Sequence, residues 1–189
     1  MPTYTIFCGV NGAGKSTLFY KINELNNFGQ RINCDEILQN LGKDWMDKSA
    51  EFQSGYIAVK KIKECLQNKQ SFNQETTVIT PLTISRIKQA KQAGYDIELY
   101  FVGLQKYKTA LKRINKRVRL GGHGIQEKDI YNRFSNQFKN LSQAIKLSNR
   151  AYIFDNTQTL QLVSYYKDGE QIIKHSKIKY IDEKINKNK

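Results

Sequence analysis

The stretch Gly9-Val10-Asn11-Gly12-Ala13-Gly14-Lys15-Ser16 constrains the fold more than any other part of the chain, because it satisfies GxxxxGK(S/T) in full. It follows an apolar run, Thr3–Cys8, that reads as a strand, and it opens a segment, Ser16–Leu25, that reads as a helix. That strand–loop–helix context is what gives the motif meaning. Gly12 and Gly14 permit backbone angles closed to other residues. The loop can therefore turn its N–H groups inward around a phosphate, and the helix N-terminus adds partial positive charge. Lys15 is expected to reach the β- and γ-phosphates, and the Ser16 hydroxyl to meet Mg²⁺. Thr17 completes the candidate ATP contacts. The competing reading is a glycine-rich turn that binds nothing.

The rest of the chain supplies the elements such a loop needs. Strands are expected at Gln30–Cys34, Ser71–Thr76, Asp96–Val102 and Ala151–Phe154. Helices are expected where Phe52, Tyr56, Val59, Ile62 and Leu66 recur, at Leu82–Ala93 before Gly94, through Tyr107–Val118, and through Ile130–Ile145. Asp168-Gly169 lies between two apolar runs and predicts a hairpin. Alternating strands and helices imply an α/β fold: a mostly parallel five-stranded central sheet with helices on both faces, a helical lid over about 105–147 and a C-terminal β-hairpin. One domain is expected over residues 1–189, ending in a solvated basic tail from about 182 to 189.

Composition narrows the function classes. The 31 basic residues exceed the 17 acidic ones by 14, a balance that suits polyanionic partners. Nucleic acid is among these, although it is not the favoured partner. No apolar run is long enough to cross a membrane, and Met1-Pro2-Thr3-Tyr4 does not open a signal peptide, so a cytoplasmic chain is expected. Cys8, Cys34 and Cys65 show neither CxxC nor CxxH spacing, which argues for reduced thiols and against zinc. A transporter-type ATPase is excluded because Leu120-Gly121-Gly122-His123 lacks the serine and glutamine of its signature, and no run of four apolar residues ends in Asp-Glu. A GTPase NKxD motif is also missing. A small phosphate-loop kinase remains.

Ligands of open parallel sheets sit beyond the carboxyl ends of the strands, so carboxylates there are candidates for chemistry. Asp35 follows the second strand and is the candidate base; the alternative is a helix cap. Glu75 ends the third strand with Thr76 beside it. Both are candidate substrate contacts, and Glu75 is also a candidate for orienting Mg²⁺. Asn156 is a candidate adenine contact, and a turn explains Asp155-Asn156-Thr157 equally well. Arg113 and Arg117 lie one turn apart on the first lid helix, and Arg133 lies on the second. Arginine forks match phosphate oxygens and offset charge as a phosphoryl group leaves. The alternative places them on solvated faces. His123, in the glycine corner between the helices, reads as a turn residue.

Gly9–Ser16, Asn33-Cys34-Asp35-Glu36, Asn73-Gln74-Glu75-Thr76-Thr77 and Arg117-Val118-Arg119-Leu120-Gly121-Gly122-His123-Gly124-Ile125 together resemble the zeta toxin family of phosphate-loop kinases, as does the Asp155-Asn156-Thr157 close. The resemblance implies a kinase fold, with ATP and Mg²⁺ as cofactors. It implies Asp35 as base, Glu75 near substrate or metal, and Arg117 and Arg133 on the phosphates. In better-known members the acceptor is the 3′-hydroxyl of the amino sugar of UDP-N-acetylglucosamine, and an antitoxin protein covers the ATP site. The expectation is thus an ATP-dependent kinase acting on a small phosphorylated substrate such as a nucleotide-sugar, and the toxin of a toxin–antitoxin pair. The alternatives are a kinase for nucleic-acid ends or another phosphorylated metabolite, and a nucleotide-gated binding module without transfer activity.

Overall fold

The computed structural model describes residues 1–43, 46–175, 178 and 180–187. Five strands run parallel: β1 (Thr3–Cys8), β2 (Gln30–Ile32), β3 (Phe72–Thr76), β4 (Asp96–Gly103) and β5 (Arg150–Asp155). The hairpin joins the same sheet: β6 (Gln161–Lys167) pairs antiparallel with β5, and β7 (Glu170–Lys174) pairs antiparallel with β6. The sheet therefore has seven strands in the order β2-β3-β1-β4-β5-β6-β7, where the sequence predicts five plus a hairpin. Asp168 and Gly169 take φ of 49° and 84°, the left-handed pair that a two-residue hairpin turn requires.

The helices are α1 (Lys15–Asn23), α2 (Cys34–Asn40), α3 (Lys48–Gln67), α4 (Pro81–Gln92), α5 (Tyr107–Arg119), α6 (Glu127–Ser135), α7 (Leu141–Leu147) and α8 (Tyr180–Lys187). They cover both faces of the sheet. On one face Tyr4, Ile6 and Cys8 of β1 pack with α3, α4, α7 and α8. On the other, Phe7 of β1 packs with Leu18 and Phe19 of α1, Ala110 and Ile114 of α5, and Ile130 of α6. This alternation along β1 is what a strand buried on both sides requires. α4 starts where the sequence marks it: Thr80 and Thr83 form a reciprocal cap, with Pro81 at the first helical position.

Three sequence expectations are corrected. α3 forms, but it buries Ala50, Ser54, Ala58, Ile62 and Cys65, while Phe52 and Tyr56 are 81% and 67% exposed. The expected apolar row is thus split: Phe52, Tyr56 and Val59 face outward, while Ile62 lies in the core and Leu66 packs against it. The second lid helix is broken into α6 and α7 at Asn140, which takes φ of 59° and donates its side-chain amide to the Ile79 carbonyl at 2.8 Å. Asparagine adopts this left-handed conformation more readily than most residues. Finally, the segment expected as a solvated tail is α8 as far as Lys187. It seats Ile181 and Ile185 in the core, while Ser164 donates to the buried Asp182 carboxylate at 2.9 Å. Asn188 and Lys189 lie outside the described residues.

The α8 finding has a measurable consequence. Ile181 is fully buried. Ile181→Ala removes that packing and is expected to cost ~2–5 kcal/mol of stability. A thermal melt checks this; an unchanged midpoint would return α8 to the status of a solvated tail.

Candidate active site

β1 delivers the phosphate loop to the middle of the sheet's carboxyl edge. Gly9, Gly12 and Gly14 take φ of 149°, 77° and 99°, which only glycine adopts cheaply. Val10 and Ala13 are buried in the core and hold the loop from below, while Thr17 is exposed on the first turn of α1. The Lys15 ammonium is buried, donates to the Val10 carbonyl at 3.3 Å, and lies 3.7 Å from the Glu75 carboxylate. Asn156 donates its side-chain amide to the Ala13 carbonyl at 2.7 Å, so it braces the loop backbone. A Cβ at Gly14 would stand 2.5 Å from that same amide nitrogen, so glycine is needed here for close approach as well as for φ.

Glu75, at the end of β3, is the hub of the site. The Ser16 hydroxyl lies 3.0 Å from each of its carboxylate oxygens. Arg31 donates to it at 2.7 Å and Asn33 at 3.3 Å. Arg31 also donates to Glu36 at 2.8 Å and to Asn73 at 3.2 Å, and its guanidinium lies 3.8 Å from the centre of the Phe19 ring. Burial works against the Arg31 charge, but the hydrogen bonds to Glu36 and Glu75 outweigh it and raise its pKa above the usual arginine value. Sequence reading missed Arg31. The available signal was an arginine inside a short strand near two carboxylates, but the contact depends on the β2–β3 register, which sets Arg31 opposite Asn73.

Asp35 stands on the first turn of α2, and the helix cap is supplied by Asn33, whose side-chain oxygen accepts from the Asp35 N–H at 3.0 Å. The Asp35 carboxylate is thus not consumed by capping. It is 45% exposed, and the His123 imidazole reaches it at 3.5 Å from the glycine corner between α5 and α6. Asp35, Glu75, Thr76, Lys15 and Arg133 line one cleft of about 650 Å³. His123 and Ile125 of the glycine corner and Lys48 and Glu51 of α3 line it too.

α5 and α6 bring two of the three predicted arginines to the loop. Arg113 donates to the Gly12 carbonyl at 3.3 Å, and Arg133 to the Asn11 side-chain oxygen at 3.0 Å. Arg117 makes no such contact. Its Nε and Nη2 are buried without a hydrogen-bond partner among the described residues. Gly122 allows this placement, since a Cβ there would stand 2.7 Å from Arg117 Cγ. Buried guanidinium donors without partners suit an anion.

These residues fit ATP and Mg²⁺. The loop supplies three glycines with positive φ and a buried ammonium, and Arg117, which does not line the cleft, carries unsatisfied donors. Ser16 and Glu75 juxtapose two oxygen ligands of the kind a hard cation takes. Among the described residues no group of three or more His, Cys, Asp or Glu side chains forms a metal cluster. Cys8, next to the loop, is buried, and burial pushes its thiol up to about 12. No helix among the described residues is long and apolar enough to cross a membrane.

Known proteins resemble this chain in sequence or in fold. An uncharacterized protein of Haemophilus influenzae is 29% identical over 133 residues, spanning 68% of this chain and 89% of its own length. A chain of the AvrRxo1-ORF1:AvrRxo1-ORF2 complex, solved with sulphate, superposes with a TM-score of 0.78 at 16% identity, covering 98% of this chain. This protein spans only 63% of that chain's length. The same complex with ATP gives 0.70 at 16% identity. The PezAT toxin–antitoxin system of Streptococcus pneumoniae gives 0.60 at 18%, covering 85% of this chain and 70% of the other. At such identities the likeness is one of fold, and the fold is that of the phosphate-loop kinases. The Zeta toxin family model matches residues 1–178, and the chain therefore belongs to the Zeta toxin family.

Proposed function

We propose that this protein is an ATP-dependent phosphotransferase of the zeta-toxin type, moving the γ-phosphoryl group of ATP to a hydroxyl of a small acceptor in the cleft. The observation that carries this reading is the convergence of Lys15, Arg133, Glu75 and Asp35 on one cleft from separate parts of the chain. Phosphoryl transfer needs charge neutralisation at the phosphates and a group that orients the attacking hydroxyl, and the cleft offers both. When bound, ATP would supply the phosphoryl group and Mg²⁺ would offset its charge, with Ser16 and Glu75 as the residues that would hold the ion.

Asp35 accepts the acceptor hydroxyl's proton. Lys15 holds the β- and γ-phosphates, and Arg113 and Arg133 keep the loop and the lid helices together over them. Arg117 offers its free donors to the transferring group. Arg31 and Asn33 fix the Glu75 carboxylate. Thr76 lines the acceptor side, where UDP-N-acetylglucosamine is the first candidate because of the family resemblance. The same resemblance, with the PezAT toxin–antitoxin system among the structural neighbours, supports an antitoxin protein as partner; a net charge of +14 favours an acidic one.

The nucleotide part of the proposal is tested by Lys15→Ala. Loss of the ammonium should weaken binding of a fluorescent ATP analogue in Mg²⁺ by roughly 10–100-fold, since hydrogen bonds to charged groups are worth ~1.5–3 kcal/mol. Equal affinity in mutant and wild type would remove the loop from nucleotide binding.

A further inference from the structure

The outward side of α5 carries a second concentration of charge that the phosphate site does not use. α5 holds Lys108, Lys112, Arg113, Lys116, Arg117 and Arg119 and no acidic residue. Arg113 is committed to the Gly12 carbonyl, and Arg117 keeps Nε and Nη2 buried one turn further on. The other four are exposed. At 3.6 residues per turn, Lys108, Lys112 and Arg119 fall on the side opposite the buried Ala110 and Ile114. Lys116 joins that row to the Arg113–Arg117 side. Together with Leu111 and Asn115, the four cations rim a shallow hollow of about 470 Å³.

Among the described residues none of the four forms an ion pair. Like charges one turn apart oppose helix formation, and no carboxylate on α5 relieves Lys108 against Lys112 or Lys112 against Lys116. A free row of this kind matches a ligand with a regular series of negative charges.

We propose that the α5 row binds a single-stranded nucleic acid by its phosphates, without reading its sequence. Side chains one turn apart are ~5–6 Å from each other at Cβ, a spacing that lets neighbouring cations meet successive phosphates. The hollow is lined by residues of α5 alone, so its cations lie in a row along one helix, which suits a linear ligand. A bilayer would want large apolar anchors beside the charges, and the hollow offers only the half-buried Leu111. No aromatic side chain lines it, so binding is driven by counterion release rather than base stacking. The site is separate from the cleft, and the inference stands whether or not phosphotransfer does.

The test is fluorescence anisotropy of a labelled oligouridine, with an oligothymidine in parallel, across a potassium chloride series on the whole protein. Four contacts at ~0.7 each predict a slope of log affinity against log salt of about −3. Neutralising the row, as K108Q/K112Q/K116Q/R119Q, should flatten the slope and weaken low-salt binding by roughly tenfold or more. Lys15→Ala and the α3 control K60Q/K61Q/K63Q should leave the slope unchanged. If the quadruple variant does not fold by circular dichroism, Lys112→Glu and Lys116→Glu singly should each weaken binding and reduce the slope by about 0.7 or more. The proposal is overturned by no binding at low salt, or by a slope indifferent to every α5 substitution. It is also overturned by row-dependent binding to phosphatidylserine vesicles with oligouridine ignored.

Discussion

Arg117→Ala is expected to lower turnover by ~10³–10⁵-fold, the range of an arginine that stabilises phosphoryl transfer, while shifting the apparent KM for ATP far less. The reason lies in how this side chain differs from its neighbours. Arg113 and Arg133 already spend donors on the loop, on Gly12 and Asn11. Arg117 keeps Nε and Nη2 buried and unsatisfied. Donors held ready without a ground-state partner act most strongly where charge develops during reaction. The same fact predicts that the substitution spares the fold, since it removes an unpaired buried charge rather than a contact. Arg133→Ala should fall less steeply, and the double variant should be non-additive if both arginines serve one closed geometry. Steady-state kinetics with a thermal melt separate these outcomes. A change in KM alone would make Arg117 a ground-state ATP ligand.

Asp35→Asn is expected to lower turnover by ~10²–10⁴-fold, the usual cost of losing a general base, with ATP affinity nearly unchanged. The substitution keeps size and leaves α2 intact, because Asn33, not Asp35, caps the helix. Near-normal turnover would make Asp35 a cleft-lining residue and nothing more. The His123 imidazole contacts the same carboxylate at 3.5 Å; this single half-exposed contact contributes little to stability, and the melt should barely move.

The phosphate loop was legible because its chemistry is local: one strand, two glycines with left-handed backbone and one lysine within a single turn. Asp35 and Glu75 were legible because a parallel sheet sends its strand ends to one edge. What was not legible depends on contacts between distant segments. The row Phe52, Tyr56, Val59 has helical spacing, yet spacing does not say which side of a helix meets a close neighbour, and the inward side is the one built from Ala50, Ser54 and Ala58. The break at Asn140 needed the Ile79 carbonyl. Arg31 needed the β2–β3 register, and the Asp35–His123 contact needed the glycine corner to reach α2. The lysines of α8 suggested a tail because their charge hides two isoleucines spaced one turn apart, Ile181 and Ile185.

Phosphotransfer is tested by following label from γ-phosphoryl-labelled ATP to a hydroxyl acceptor, with UDP-N-acetylglucosamine first in a panel that includes other nucleotide-sugars and phosphorylated metabolites. The wild-type protein should form a labelled acceptor in step with ADP, and Lys15→Ala or Asp35→Asn neither product in quantity. Bound ATP that yields only inorganic phosphate with every acceptor, at a rate Asp35→Asn does not change, would contradict phosphotransfer.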